Sequence, residues 1–185
     1  MGKRSDFARI PRDKYRTQPS CIPPLLPFLA PSTLFIEPCA GDGSLVALLE
    51  DEDHICVAAF DIEPEPPVVP IGVPIERRDA LAPLDFLEVA DCFITNPPWD
   101  RKVLHPMIVN LSDLMPTWLL FDADWIHTVQ ASELALRCRR VVSVGRVKWM
   151  PGTKHTGMDN CAWYEFGQPS RAGTRFHFRQ GRSRS

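Results

Sequence analysis

At 185 residues the chain has room for a single domain with a real core, and 44% apolar residues is ordinary for a globular protein. No apolar run reaches the ~18 residues of a membrane span, and MGKRSDFARIPRDKYR at the start lacks the apolar stretch of a secretory signal, so a cytoplasmic location and no membrane partner are expected. The net charge of −2 hides basic arms, +4 over residues 1–16 and +5 over residues 169–185, on a body at −11; such arms suit a polyanion, although basic termini are often simply solvated.

The six cysteines are scattered without a CxxC pair, and the five histidines show no HxxxH spacing. Reduced, mostly buried thiols and no metal site are expected.

Prolines cluster in residues 19–38, 64–74 and 97–106 and punctuate the elements. LFIEP (34–38) reads as a short buried strand and GSLVALLEDED (43–53) as a helix. HICVAAFD (54–61) is a second strand and PIERRDAL (74–81) a brief third with its exit loop. DCFIT (91–95) is a fourth strand that runs directly into NPPW. RKVLHPMIVNLSDL (101–114) has a helical pattern that Pro106 must kink or delimit. TWLLFDA (117–123) is a fifth strand, and IHTVQASELALRC (126–138) a helix. RVVSVGRVKWM (140–150) and CAWYEFG (161–167) close the chain as a hairpin. Strands alternating with helices predict an α/β parallel sheet, and the two late strands an antiparallel edge.

In such sheets ligands lie beyond the carboxyl ends of the strands. Glu37, Asp61, Asp79 and Asn96 stand at four of those ends in order. The first turn, EPCAGDGS (37–44), brings Pro38, Ala40, Gly41 and Gly43 between strand and helix. Its two glycines allow a tight turn and close backbone approach, but Val46 occupies the third glycine position of a dinucleotide fingerprint, and Glu37 and Asp42 would repel a pyrophosphate. A cationic ligand suits this loop better. Asp61 is placed to accept ribose hydroxyls, Ile62 to lie against a purine, and Asp79 to accept from an exocyclic amine. Together these imply S-adenosylmethionine (SAM), with S-adenosylhomocysteine as its product. Each carboxylate taken singly reads as a solvated loop residue or a helix cap.

IEPCAGDGSL resembles the first motif of class I SAM-dependent methyltransferases, and Asn96-Pro97-Pro98-Trp99 is similar to the (D/N/S)PP(Y/F/W) motif of their amino methyltransferases. DKYRT (13–17) resembles the lead-in of N6-adenine methyltransferases, although Gln18 intervenes where proline often follows the threonine. WMPGTKHTGMDNCAWYEF (149–166) is similar to the end of small phage and prophage-type methyltransferases. The resemblance implies a Rossmann-like class I methyltransferase fold with a mostly parallel seven-stranded sheet, an antiparallel edge hairpin and helices on both faces. It implies a basic arm and lead-in over residues 1–18, in which Tyr15 and Thr17 close over the methionine, a SAM-dependent domain over 19–168, and a basic, flexible tail over 169–185.

The chemistry expected of NPPW follows from its stiffness. An exocyclic amine is a poor nucleophile because its lone pair is delocalised into the ring. The Asn96 side-chain oxygen and the Pro97 carbonyl can take its two hydrogens, Pro98 holds the turn, and Trp99 offers a stacking face. A base inside a duplex would have to be flipped out to reach them. Further candidates for substrate contact are Lys154 and His155 toward phosphate, Trp149 as a second aromatic face or a core residue, and Trp125 as a pocket wall or a packed indole behind a helix cap. Trp163 and Tyr164 read as core.

The expected activity is methyl transfer to an exocyclic amine of a nucleic-acid base, foremost adenine N6 in DNA, with cytosine N4 second. The same motif serves RNA bases and protein glutamine amides, and a SAM-binding regulatory protein without turnover is the alternative of another class. No domain-sized insert is present for target recognition, so selectivity is expected from short loops and the basic arms.

Overall fold

The computed structural model describes residues 14–84, 89–149 and 158–179. Its strands are β1 (Leu34–Glu37), β2 (Ile55–Asp61), β3 (Ile75–Arg77), β4 (Cys92–Thr95), β5 (Thr117–Asp122), β6 (Cys138–Lys148), β7 (Met158–Phe166) and β8 (Arg175–His177). The helices are α1 (Ser44–Glu50), α2 (Arg101–Leu114) and α3 (Val129–Leu134). Short 3-10 turns cover Pro19–Cys21, Leu26–Phe28 and Ala123–His127.

The strands form one sheet in the order β3-β2-β1-β4-β5-β7-β6-β8. All pairings are parallel except those of β7, which runs antiparallel to both β5 and β6. The α/β class, the parallel sheet and the antiparallel hairpin match the sequence reading. The strand count does not: the sheet has eight strands rather than seven. The eighth, Arg175–His177, comes from the stretch read as a flexible tail and pairs in parallel with Arg140–Val142 of β6. A three-residue strand that turns a histidine inward and leaves its phenylalanine exposed carries the reverse of a burial pattern, so hydrophobic period does not reveal it.

Alternation along the strands feeds two cores. On one face Phe35, Ile94, Leu120, Val142 and Trp163 pack under α1 and the segment that starts with the first 3-10 turn, whose Cys21 is buried together with Ile22 and Leu25 after it. The Trp163 indole N–H donates to the Cys21 carbonyl at 2.7 Å and ties that segment to the sheet. On the other face Leu119, Phe121, Tyr164 and Phe166 pack under α2 and α3. Helices therefore cover both faces. α2 keeps its expected bounds with Pro106 inside and exposed, and Asp100 caps it by accepting from the Lys102 N–H at 3.0 Å. The helix expected over 126–138 is shorter; a 3-10 turn takes its first residues and α3 spans six.

The order reverses between β1 and β4. Neighbouring connections leave opposite faces there, and a crevice opens at the carboxyl ends of those two strands. Glu37 ends β1 and Asn96 follows β4, so both stand at its mouth.

Candidate active site

β4 is buried throughout and delivers Asn96 to the rim of this crevice. Pro97 is buried, Pro98 and Trp99 are half-buried, and Asp100 begins α2, so the four residues bridge strand and helix in a short stiff link. The Asn96 amide nitrogen donates to the Tyr15 carbonyl at 3.0 Å and to the Thr17 hydroxyl at 3.3 Å. A carbonyl only accepts, so the amide orientation is determined: nitrogen toward residues 15–17, oxygen toward the other side.

Residues 14–17 form a strap across the crevice. Lys14 pairs with Glu65 at 3.2 Å and donates to the Glu63 carbonyl at 2.8 Å. Arg16 pairs with Asp42 at 2.5 Å. Thr17 is buried against Asn96 although Gln18 separates it from Pro19. The cleft beneath is lined by Tyr15, Arg16 and Thr17 of the strap, by Glu37 and the turn from Cys39 to Asp42, and by Asp61, Asn96 and Pro98.

In that turn Gly41 and Gly43 adopt φ of 53° and 76°, which a side chain disfavours. A Cβ on Gly41 would meet nothing within 4 Å, so the loop presents bare backbone to the cleft. The Gly41 N–H donates to Asp61 Oδ2 at 2.9 Å, and the Glu63 N–H to Asp61 Oδ1 at 2.8 Å. Each carboxylate oxygen keeps a lone pair for another donor. Pro38 is buried behind this turn, and Ala40, also buried, lines the cleft within it.

Glu37 is 1% exposed. Its Oε1 accepts a 3.3 Å bond from the Cys39 N–H, while Oε2 has no hydrogen-bond partner among the described residues. The buried hydroxyl of Thr95 is unpartnered there as well. Burial pushes the Glu37 carboxyl up to about 8, and the negative charge of Asp61 adds to this; the nearby Thr95 hydroxyl, short of a formed hydrogen bond, and the Cys39 N–H oppose it. A buried carboxylate with an open oxygen is a place where a cation would be welcome.

Not every expected residue joins this group. Ile62 is exposed at 52% next to Asp61. Asp79 is exposed and turns back to accept from the Leu81 N–H at 2.9 Å, standing at the margin within electrostatic reach of Cys39. Trp125 is not a pocket wall: it is 5% exposed, donates to His105 Nε2 at 3.1 Å and packs edge-on to Phe121 and Tyr164. Trp149 is also 5% exposed and offers no open face. It backs Trp99 instead, edge-on with ring centres 5.8 Å apart, and lies 6.2 Å from Tyr15. In both cases an indole at a strand end found an apolar neighbour cluster, which outweighs exposure. Lys154 and His155 lie outside the described residues. Lys14, Arg16 and Thr95 were missed; the cations Lys14 and Arg16, set against the acids of the 61–65 stretch and Asp42 respectively, were the available signal, whereas Thr95 reads as one more residue of a buried strand.

Neither a family model nor a curated protein sequence matches the chain. Solved structures do. A candidate class I SAM-dependent methyltransferase of Listeria monocytogenes superposes with a TM-score of 0.55 at 10% identity, over 92% of this chain and 67% of that one. The chain has the class I methyltransferase fold. A candidate RNA methyltransferase of Pyrococcus horikoshii matches at a TM-score of 0.53 and 14% identity, covering 89% and 92% of the two chains. The modification subunit of a candidate type I restriction enzyme from Vibrio vulnificus matches at 0.50 and 10%, covering 92% of this chain and 48% of its own. The chain thus spans about half the length of that subunit.

Proposed function

We propose that this methyltransferase-fold chain transfers the methyl group of SAM to an exocyclic amine of a nucleic-acid base, adenine N6 in DNA. The observation that carries the reading is the orientation of Asn96. Its amide nitrogen is committed to Tyr15 and Thr17, which leaves its oxygen as the end available to an incoming amine. Together with the Pro97 carbonyl it supplies two acceptors on a stiff turn. Two acceptors favour a pyramidal nitrogen and help carry the positive charge that develops on it.

The residues present fit SAM. Glu37 Oε2 is buried and open, which suits a cationic ligand, and Gly41 leaves space where a Cβ would project. Asp61 has acceptor capacity for ribose hydroxyls, Ile62 an exposed apolar face for the purine, and Asp79 stands at the margin to accept from an adenine amine. Tyr15 and Thr17 close the cleft from above. SAM supplies a methyl on a positively charged sulfur, so no metal or strong general base is required of the protein. The chain's own residues orient the amine, exclude water beneath the strap and hold the target ring beside Trp99, with Trp149 bracing that indole from behind. The target base would be extruded from a duplex to reach this depth.

The likeness to a modification subunit supports DNA, and the basic arms support nucleic acid over protein. The likeness to a candidate RNA methyltransferase keeps RNA bases as the second reading. Incubation with methyl-labelled SAM and separate DNA, RNA and protein pools tests this. Label in DNA, recovered as N6-methyladenine after digestion, is the expected result. Label in protein alone, or tight SAM binding with no transfer to any pool, contradicts it.

A further inference from the structure

The far edge of the sheet carries a second feature that the cleft does not use. β8 and the residues after it read Arg175-Phe176-His177-Phe178-Arg179. His177 turns inward, edge-on to Phe28 with ring centres 4.6 Å apart. Phe176 and Phe178 turn the other way, 53% and 83% exposed, with their rings 5.2 Å apart. Arg175 and Arg179 flank them, both exposed, and Arg146 and Lys148 are exposed on the neighbouring strand. The Arg179 guanidinium reaches across Gly145, where a Cβ would stand 2.9 Å from its Nη1. Arg140, one strand in, is already paired with Glu165 at 2.8 Å. No salt bridge joins Arg146, Lys148, Arg175 or Arg179 to an acid among the described residues.

Two open aromatic faces ringed by uncompensated cations are the equipment that holds unpaired bases and their phosphates. The body of the molecule repels such a ligand: residues 17–168 carry a net −11, against +5 on the C-terminal arm and +4 on residues 1–16. A polyanion is therefore drawn to the two basic arms, and of these the C-terminal one carries the open aromatic pair. β8 runs parallel to β6, so the chain leaving it heads toward the carboxyl ends of the strands, where the cleft lies. Phe176 sits opposite Val141, eight residues before Trp149. At ~3.3 Å per strand residue, the aromatic pair is on the order of 25 Å from the Trp99–Trp149 contact.

We propose that the Phe176–Phe178 pair, with Arg175, Arg179 and Arg146, is a docking site for single-stranded DNA, holding the strand that flanks the target base at a distance from the cleft. The inference rests on the nucleic-acid reading of the cleft and adds a place where substrate is held independently of the chemistry.

The test uses the full-length chain, a 5′-labelled single-stranded DNA 30-mer and its duplex, read by fluorescence anisotropy, with SAM affinity measured in parallel. The double variant Phe176→Leu/Phe178→Leu keeps apolar bulk but removes the π faces. It is expected to bind the single strand about 10-fold more weakly, with an unchanged salt slope and unchanged SAM affinity. Phe176→Tyr/Phe178→Tyr restores binding. Arg175→Gln/Arg179→Gln flattens the salt dependence by about two charges. Wild-type DNA binding that is indifferent to the leucine pair overturns the inference while leaving the cleft reading intact. So does a leucine pair that alters only the oligomeric state, which would assign the face to a second copy. Normal DNA and SAM binding without transfer by the wild type sinks the cleft reading alone.

Discussion

Glu37 is the residue whose placement costs the most and explains the most. A carboxyl with 1% exposure and an unpartnered oxygen is destabilising wherever it must ionise. Burial holds its carboxyl at about 8, above the 4.5 of an unfolded chain. Between those two values the unfolded state releases the proton and the folded state keeps it, so stability falls as pH rises from about 4.5 to about 8 and then levels off. Glu37→Gln keeps the shape without the charge. Thermal melts of the SAM-free protein from pH 5 to 8.5 are expected to show a downward trend in the wild type that the variant flattens, with the variant gaining a few kcal/mol at the alkaline end. Parallel curves for the two proteins would mean that Glu37 ionises freely. Its presence was legible in the sequence as an acidic residue after a short apolar strand. Its burial and the neighbouring Thr95 hydroxyl were not, because both depend on how β1 and β4 pair.

The strap is the element that joins the cleft to Asn96. Its contacts are ionic at Lys14 and Arg16 but local and directional at Tyr15 and Thr17. The Lys14 pair is solvated on its Glu65 side and the Arg16 pair reaches the buried Asp42, but neither touches Asn96, so the two hydrogen bonds are what couples strap position to the Asn96 orientation. Thr17→Val removes one of them while preserving volume. The expected result is a turnover number about 5- to 10-fold lower, with melting temperature and SAM affinity near wild type and rescue by Thr17→Ser. An unchanged turnover number would leave Thr17 a packing residue. The sequence showed a lead-in of the right type, but the interposed Gln18 obscured whether Thr17 would reach the site. The answer lies in the 3-10 turn that starts at Pro19, which carries the chain over the sheet and leaves Thr17 beside Asn96. Trp125 and Trp149 stood open between pocket face and packed indole in the sequence, and the packed alternative holds, because exposure is set by what α2, α3 and Trp99 place around them.

At the scale of the molecule, the hydrophobic periods of the strands and helices were enough to foresee a parallel sheet with an antiparallel hairpin, and the acidic residues at successive strand ends were enough to locate the crevice. β8 escaped because three residues, two of them exposed phenylalanine or arginine, carry no signature of burial. The charge division between an acidic body and basic arms confines a polyanionic partner to the margins, and the strand-order reversal brings Glu37 and Asn96 to one opening. On the proposed reading labour is divided at that opening: Glu37 and Asp61 serve the cofactor and Asn96 the amine. The most direct measurement is SAM affinity by calorimetry beside single-turnover methyl transfer to DNA for Asn96→Ala. Transfer is expected to fall by about 100-fold or more with SAM affinity within a few-fold of wild type. SAM binding lost in proportion to transfer would contradict the account and make Asn96 a cofactor residue.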